Sequence, residues 1–167
     1  MEIQSLDRHP NNVVAVKYSA ETGLVFTASS AYVKVWDLRQ SPSRCIKTLS
    51  SSGWPASGNQ ANTTSTRSLQ LPQGETLIND IALSNQNSAV LYAAAGNQVR
   101  IWDIRKFNST GKLSGGHQAA VMCLAVGAIP KSSTEHSGIE YVVTGSKDHY
   151  VKVFEVRNGA TGVLSPR

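Results

Sequence analysis

The chain has 167 residues, of which 40% are hydrophobic, and its lysines and arginines (16) exceed its aspartates and glutamates (11), giving a formal net charge of +5. This positive balance favours acidic partners, and the length suits one ordinary domain. No apolar run reaches the roughly 18 residues that suggest a membrane-spanning helix, so we expect no membrane insertion. The first residues, 1–8, lack a basic segment followed by an apolar stretch, so we expect a cytoplasmic protein.

The cysteines give no sign of a disulfide framework or a metal site. Cys45 and Cys123 are the only two, and both fall inside apolar runs, so we expect them to be small buried hydrophobes. None of the four histidines has a carboxylate or cysteine at metal-ligand spacing. We therefore expect no bound metal.

The predicted elements are short alternating strands separated by turn residues, and no stretch keeps helical spacing beyond two turns. The first group of strands covers 13–19, 24–29, 32–38 and 45–49. The second covers 78–83, 91–95, 98–104 and a weak strand at 110–113. The third covers 121–126, 141–145 and 150–156, with 162–164 as the start of a fourth strand.

The third strand of each group carries one eight-residue pattern. Residues 32–39 read Tyr-Val-Lys-Val-Trp-Asp-Leu-Arg, residues 98–105 read Gln-Val-Arg-Ile-Trp-Asp-Ile-Arg, and residues 150–157 read Tyr-Val-Lys-Val-Phe-Glu-Val-Arg. Three copies in one register indicate a supersecondary unit repeated three times. The aromatic residue recurs at intervals of 66 and 52 residues, which a unit of about 40 to 45 residues explains if each interval holds an insertion. Residues 51–73 and 127–140 supply these insertions.

The pattern resembles the WD40 repeat over essentially the whole chain. Trp36-Asp37 and Trp102-Asp103 carry the resemblance, Phe154-Glu155 is a worn copy, and Gly116-His117 matches the Gly-His before the first strand. The resemblance implies an all-β propeller fragment of about three four-stranded antiparallel blades in an open arc. We expect blades at about 9–50, 74–114 and 116–165, a flexible insertion at 51–73, and residues 1–6 as the outer strand of a preceding blade.

The third repeat contains a hydroxyl, an imidazole and a carboxylate, which are the side-chain groups of an acyl-transfer triad. The resemblance gives Thr144, His117, Asp148 and Phe154 a structural role instead, as a hydrogen-bonded chain inside the blade. Phe154 has no indole N–H, so this network of hydrogen bonds should lack one donor. The first two repeats carry a degraded set. Ser30 replaces the aspartate in the first repeat, and nothing replaces it in the second.

Other signatures of catalysis are missing from the sequence. It contains neither the P-loop pattern Gly-x-x-x-x-Gly-Lys-Ser/Thr nor a Gly-x-Ser-x-Gly elbow. We therefore expect a chain that is not an enzyme and needs no cofactor.

Details outside the generic repeat narrow the resemblance. They are similar to the carboxy-terminal propeller of kinesin-like motors of the fourth kinesin family, which restrain microtubule growth. The segments concerned are 9–14, 51–53, 106–113, 121–124 and 144–154, of which the last, containing Gly-Ser-Lys-Asp-His-Tyr, is the most specific. The resemblance implies a tail module that binds tubulin and microtubules, attached to the cytoskeleton. The motor and its coiled coil lie outside these residues.

Cations at matching positions of the three repeats are the candidate partner-binding residues. One set stands two residues before the aromatic and the other three residues after it: Lys34, Arg100 and Lys152, and Arg39, Arg105 and Arg157. Lys106 and the insertion's Trp54 complete the candidates. Arcs of cations suit the acidic surface of tubulin. Alternatively, the arginines are solvated strand ends that pair with Asp37, Asp103 or Glu155.

The sequence leaves a second class of function open and gives little support to a third. The chain fits a generic WD40 scaffold, such as a substrate-reading subunit of a ubiquitin ligase or a subunit of an RNA-processing complex. Direct nucleic-acid binding is not expected, because interleaved exposed aromatics are lacking. An arc of three blades leaves apolar sheet faces in water, so we also expect further blades of a longer chain on both sides.

Overall fold

The computed structural model describes residues 4–54, 71–128 and 139–157. Within these residues all regular structure is β. Its strands are β1 (Val13–Ser19), β2 (Leu24–Ser29), β3 (Tyr32–Asp37), β4 (Arg44–Ser50), β5 (Ile78–Leu83), β6 (Val90–Ala95), β7 (Gln98–Asp103), β8 (Asn108–Leu113), β9 (Val121–Gly127), β10 (Ile139–Ser146) and β11 (Val151–Arg157). No helix in this part of the chain is long and apolar enough to cross a membrane.

Consecutive strands pair antiparallel to form three sheets. The first has the order β1-β2-β3-β4, the second β5-β6-β7-β8, and the third β9-β10-β11. The predicted all-β, open arrangement of three successive sheets is therefore confirmed. The strand expected at 162–164 and the main part of the insertion, 55–70, lie outside the described residues.

The repeated octad forms the third strand of every sheet, in one register. Val33, Val99 and Val151 each lie opposite a small residue of the preceding strand, namely Ala28, Ala94 and Gly145. The first strand of each sheet also has an irregularity at its second residue, at Val14, Asn79 and Met122. Positions in the three sheets can therefore be compared one by one.

Side chains alternate between the two faces of each sheet, and the faces between neighbouring sheets form the core. Val33 and Val35 of the first sheet share one buried cluster with Ile78 and Ile81 of the second. A second cluster joins the second sheet to the third. The buried residues of this second cluster are Tyr92, Val99, Ile101, Leu113, Val142 and Phe154.

One backbone hydrogen bond recurs where each sheet meets the next. The amide of Ile78, first residue of β5, donates to the carbonyl of Ser30 over 2.9 Å, and the amide of Val121, first residue of β9, donates to Gly96 over 2.8 Å. Ser30 and Gly96 both have positive φ, 55° and 61°, in the turn before the third strand. Only Gly adopts this conformation without a steric cost, so Ser30 is the less favourable of the two.

The segment before β1 is held against the first sheet without forming a strand. Residues 4–6, part of the expected outer strand over 1–6, form no strand, and 1–3 lie outside the described residues. Asn11 and Ser29 exchange two hydrogen bonds, of 3.1 and 2.7 Å. Lys34 donates from Nζ to the carbonyl of Arg8.

Both cysteines are exposed, so the expectation of buried thiols is wrong. Cys45 lies on β4, an edge strand on which Arg44, Ile46 and Lys47 are exposed as well. Cys123 lies opposite Gly145 on a face of the third sheet that no other described sheet covers. The apolar residues beside each cysteine in the sequence do not show that β4 is an edge strand or that one face of the third sheet is uncovered.

Candidate protein-interaction surface

The third sheet brings together the residues of the apparent triad. His117 contacts Asp148 through Nδ1 and Thr144 through Nε2, each over 2.8 Å. Burial alone would raise the pKa of Asp148, but hydrogen bonds from the Gln118 amide, from His117 and from the Tyr150 amide lower it overall. Thr144 is 1% exposed, so its hydroxyl is presented to its blade and not to a substrate. The arrangement locks the turn around Asp148 onto β10.

The first sheet contains a related network, in which an indole N–H binds the threonine hydroxyl that contacts the histidine. Trp36 donates from Nε1 to Thr27 Oγ1 over 2.9 Å, and Thr27 Oγ1 contacts His9 Nε2 at 2.8 Å. The Thr27 hydroxyl accepts the indole hydrogen and can still donate its own hydrogen to His9 Nε2 when that nitrogen is unprotonated. Burial and the charge of Lys34 lower the pKa of His9, which fits a neutral ring.

In the other two sheets this network is incomplete in different ways. Ala93 stands in the second sheet where Thr27 and Thr144 stand, so Trp102 has no hydroxyl to bind at that position. In the third sheet Phe154 replaces the tryptophan, and Thr144 Oγ1 reaches the carbonyl of Lys152 at 3.3 Å. Thr27 was not singled out from the sequence, although its place three residues before Ser30 in a repeated strand was the available signal.

The arginines three positions after the aromatic lie at the surface and fold back onto the acid beside it. Arg39 donates from Nε and from one terminal nitrogen to the two oxygens of Asp37, both over 2.8 Å. Arg105 approaches Asp103 at 3.6 Å. Arg157 donates to Glu155 over 2.6 Å. The three arginine side chains are 68%, 71% and 61% exposed, so each keeps part of its charge open to solvent.

The contact with Arg39 changes the pKa of Asp37. The side-chain and backbone hydrogen bonds from Arg39 lower the pKa of Asp37 from 3.8 to about 2. Asp103 accepts the corresponding backbone amides, of Arg105 at 2.8 Å and of Lys106 at 3.3 Å. The aspartate that follows the tryptophan therefore orders the turn after the third strand in each of the first two sheets.

The second set of candidate cations does not form an exposed arc. Lys34 is only 5% exposed and lies 5.8 Å from the ring centroid of Trp36. Arg100 is half-buried and donates to the carbonyl of Ser51 over 3.3 Å, and burial lowers its pKa. Lys152 is half-buried and lies over Tyr150. Each of these side chains lies against another part of the chain, whereas a sequence pattern places every strand lysine on the surface by default.

Trp54 is the most exposed large hydrophobic residue of the described chain, at 76%. Its backbone is fixed by the Ser50 hydroxyl, which donates to the Trp54 carbonyl over 2.7 Å. Together with Lys106 and the three paired arginines, it belongs to the part of the predicted surface that a partner can reach. No cluster of His, Cys, Asp and Glu suited to a metal ion occurs within 4–54, 71–128 and 139–157.

Two buried or half-buried acids between the sheets were missed by sequence reasoning. Glu75 accepts hydrogen bonds from the Ser51 hydroxyl at 2.5 Å and the Ser52 hydroxyl at 2.7 Å, which ties the start of the second sheet to the end of the first. Glu140 does the same between the second and third sheets, with Tyr92 among its donors. An acid at an alternating strand position looks solvated in a single sequence, so no signal marked them.

The chain matches the family described as WD domain, G-beta repeat, over residues 1–37 and 107–155. It therefore belongs to the WD40 repeat family, whose domains mediate protein–protein interactions and whose propeller fold is typically non-catalytic. Among solved structures, it is similar to Saccharomyces cerevisiae Sqt1, with a TM-score of 0.62 and 16% identity over 87% of this chain and 32% of that one. It is also similar to a chain of an active polycomb repressive complex 2 in the basal state, with a TM-score of 0.58 and 17% identity over 90% of this chain and 28% of that one. At these identities the likeness concerns the fold alone.

The more similar sequences are kinesin-like proteins. The human kinesin-like protein KIF21A is 52% identical over 165 residues, which are 99% of this chain and 9% of the relative. Human KIF21B is 50% identical over 99% of this chain and 10% of the relative, and Caenorhabditis elegans klp-12 is 33% identical over 99% and 10%. The chain thus spans about a tenth of the length of these relatives. It is a WD40 protein-interaction module related to the KIF21 kinesin-like proteins.

Proposed function

We propose that this chain is part of the tail propeller of a kinesin-like motor, and that the propeller binds tubulin and microtubules and helps to regulate microtubule growth. The observation that carries the proposal is the identity of 50–52% with two human kinesin-like proteins over 99% of the chain. Further blades, the coiled coil and the motor would belong to the same parent chain. The module itself would be non-catalytic, without a cofactor, and located on the cytoplasmic cytoskeleton.

The exposed cations support a contact with an acidic partner. Arg39, Arg105 and Arg157 are 61–71% exposed despite their acid partners, and Lys106 is exposed beside Arg105. Tubulin presents an acidic surface, so such cations would speed encounter and favour one orientation. Because exposed charges are screened by salt, this part of the affinity would fall as ionic strength rises.

The test is co-sedimentation of the complete propeller with microtubules at low salt. We expect the triple variant Arg39→Glu, Arg105→Glu, Lys106→Glu to bind at least several-fold more weakly than the unchanged protein, with circular dichroism confirming the fold. Lys17→Glu, an exposed cation on β1, is the matched control for a change of one charge and should bind as before. Unchanged affinity of the triple variant would exclude these three residues from the microtubule contact. Absence of any microtubule binding would favour the alternative function, a generic WD40 scaffold.

A further inference from the structure

The turn after the third strand carries one cation in the first sheet and two in the second. In the first sheet Arg39 is followed by Gln40, whereas in the second sheet Arg105 is followed by Lys106. Residues 104–107, which we call the cationic turn, join β7 directly to β8. The cationic turn therefore has a higher positive charge than its counterpart in the first sheet.

In the first sheet the single arginine is already held by an acid. Arg39 donates two hydrogen bonds of 2.8 Å to Asp37, whose side chain is only 8% exposed. Arg157 in the third sheet is held in a similar way, by a 2.6 Å hydrogen bond to Glu155. An acidic partner would have to displace these carboxylates before it could bind the same nitrogens.

In the second sheet the acid is used by the backbone instead. Oδ1 of Asp103 accepts the amide of Arg105 at 2.8 Å and the amide of Lys106 at 3.3 Å. Nε of Arg105 lies 3.6 Å from the same oxygen, which is too far for a hydrogen bond. Within the described part of the chain, neither the Arg105 guanidinium nor the Lys106 ammonium donates a hydrogen bond. Both groups therefore keep their donors for a partner.

The cationic turn is held by the residues at its two ends. Ile104 is 3% exposed, and its amide donates to the carbonyl of Ala89 over 2.8 Å. Phe107 has a φ of 52° and packs against the buried cluster between the first and second sheets. Arg105 and Lys106, between these two residues, are exposed. Because their backbone is fixed before binding, less conformational entropy is lost when a partner is bound there.

We propose that the cationic turn is the main anion-binding point of this chain, where Arg105 and Lys106 hold two carboxylates of an acidic segment of tubulin. The identity of this partner rests on the proposed function. A guanidinium binds a carboxylate through two parallel N–H donors, and the neighbouring ammonium supplies a second point charge. Arg39 and Arg157 keep their own acids and contribute by long-range attraction alone, which salt screens.

The test compares two double variants of the complete propeller that remove the same charge. The first, Arg105→Gln with Lys106→Gln, removes both cations of the cationic turn. The second, Arg39→Gln with Lys17→Gln, removes two exposed cations elsewhere and is the matched control. In co-sedimentation with microtubules at low salt, we expect the first to weaken binding about fivefold or more and the second less than about twofold. Circular dichroism checks that both variants fold.

A poly-glutamate peptide separates this inference from the proposed function. Its binding to the propeller, measured by calorimetry at the same salt, should fall in the first double variant and not in the control. If the peptide behaves in this way but microtubules do not bind, tubulin is the wrong partner and the anion-binding point stands. If microtubules bind and the two double variants lose affinity equally, or neither loses any, the inference is overturned and the proposed function stands. Absence of binding to either probe overturns both.

Removal of the competing acid gives a second measurement, with a gain as the expected result. Asp37→Asn removes the carboxylate that holds Arg39, so microtubule affinity should rise. The rise should be larger than in Asp103→Asn, which removes the same charge at the matching position, because Asp103 forms no hydrogen bond with the guanidinium of Arg105. The excess should disappear when Arg39→Gln is added to Asp37→Asn. Equal gains in the two single variants would overturn the proposed difference between the two turns.

Discussion

Tyr92 of the second sheet donates a 2.8 Å hydrogen bond from its phenol to the carboxylate of Glu140 in the third sheet. Tyr92 is 1% exposed and Glu140 is 5% exposed. The same carboxylate accepts from the Ser84 hydroxyl at 2.9 Å and from the Asn85 amide at 2.7 Å. One acid therefore satisfies three donors of the neighbouring sheet and joins the two sheets.

Replacement of Glu140 by glutamine should weaken this junction. The neutral amide accepts through only one oxygen and forms weaker hydrogen bonds than the carboxylate, so we expect a loss of about 1–3 kcal/mol in the free energy of unfolding. Urea denaturation of the whole chain measures it. Glu21→Gln, at an exposed turn, is the matched control and should change stability by less than about 0.5 kcal/mol. Equal stability of both variants would contradict the junction role.

The alkaline limit of stability should depend on Tyr92. Burial and the hydrogen bond to Glu140 raise the pKa of this phenol. In the unfolded chain the phenol ionises at about pH 10, whereas in the folded chain it stays protonated. Ionisation therefore favours unfolding, and stability should fall as the pH rises above about 10. In Tyr92→Phe the fall should be shallower, as measured by urea unfolding at successive pH values; an identical slope would contradict the assignment.

The acid limit should depend on the pair of Asp37 and Arg39. Arg39 lowers the pKa of Asp37 from 3.8 to about 2, so the ionised carboxylate is favoured in the folded chain. Its contribution is present above the unfolded pKa and is lost as the pH falls from 3.8 to about 2. Thermal melting should show that the difference in stability between the unchanged protein and Asp37→Asn shrinks in this window. A difference that stays constant through it would count against the pair.

The missing donor of the third sheet can be restored. Phe154 occupies the position of Trp36, whose indole N–H donates to Thr27. In Phe154→Trp the indole should donate to Thr144 Oγ1 and add about 0.5–1.5 kcal/mol to the free energy of unfolding. The gain should disappear when Thr144 is also changed to Val, which a double-mutant cycle measures. A gain that persists in the Thr144→Val background would come from packing and not from this bond.

Strand register was the part of the fold that the sequence predicted best. The octad placed Val33, Val99 and Val151 on equivalent strands, because a side-chain period of two and a fixed aromatic leave only one consistent alignment. Contacts between sheets were not predicted. Lys34 and Glu140 are buried by residues far away in the sequence, and nothing in their local pattern distinguishes them from solvated side chains. Cys123 was misassigned for the opposite reason, since its apolar context did not reveal an uncovered face.

The bond from the Ile78 amide to the Ser30 carbonyl fixes where the second sheet begins by reference to a turn in the first. The segment that links β4 to β5 contributes neither atom of this bond, and the energetic penalty for lengthening a loop grows only slowly with its length. The length and sequence of the linker between these two sheets can therefore vary in evolution while the start of the second sheet stays bonded to the first. Novel regulatory sequence is most easily acquired at that linker.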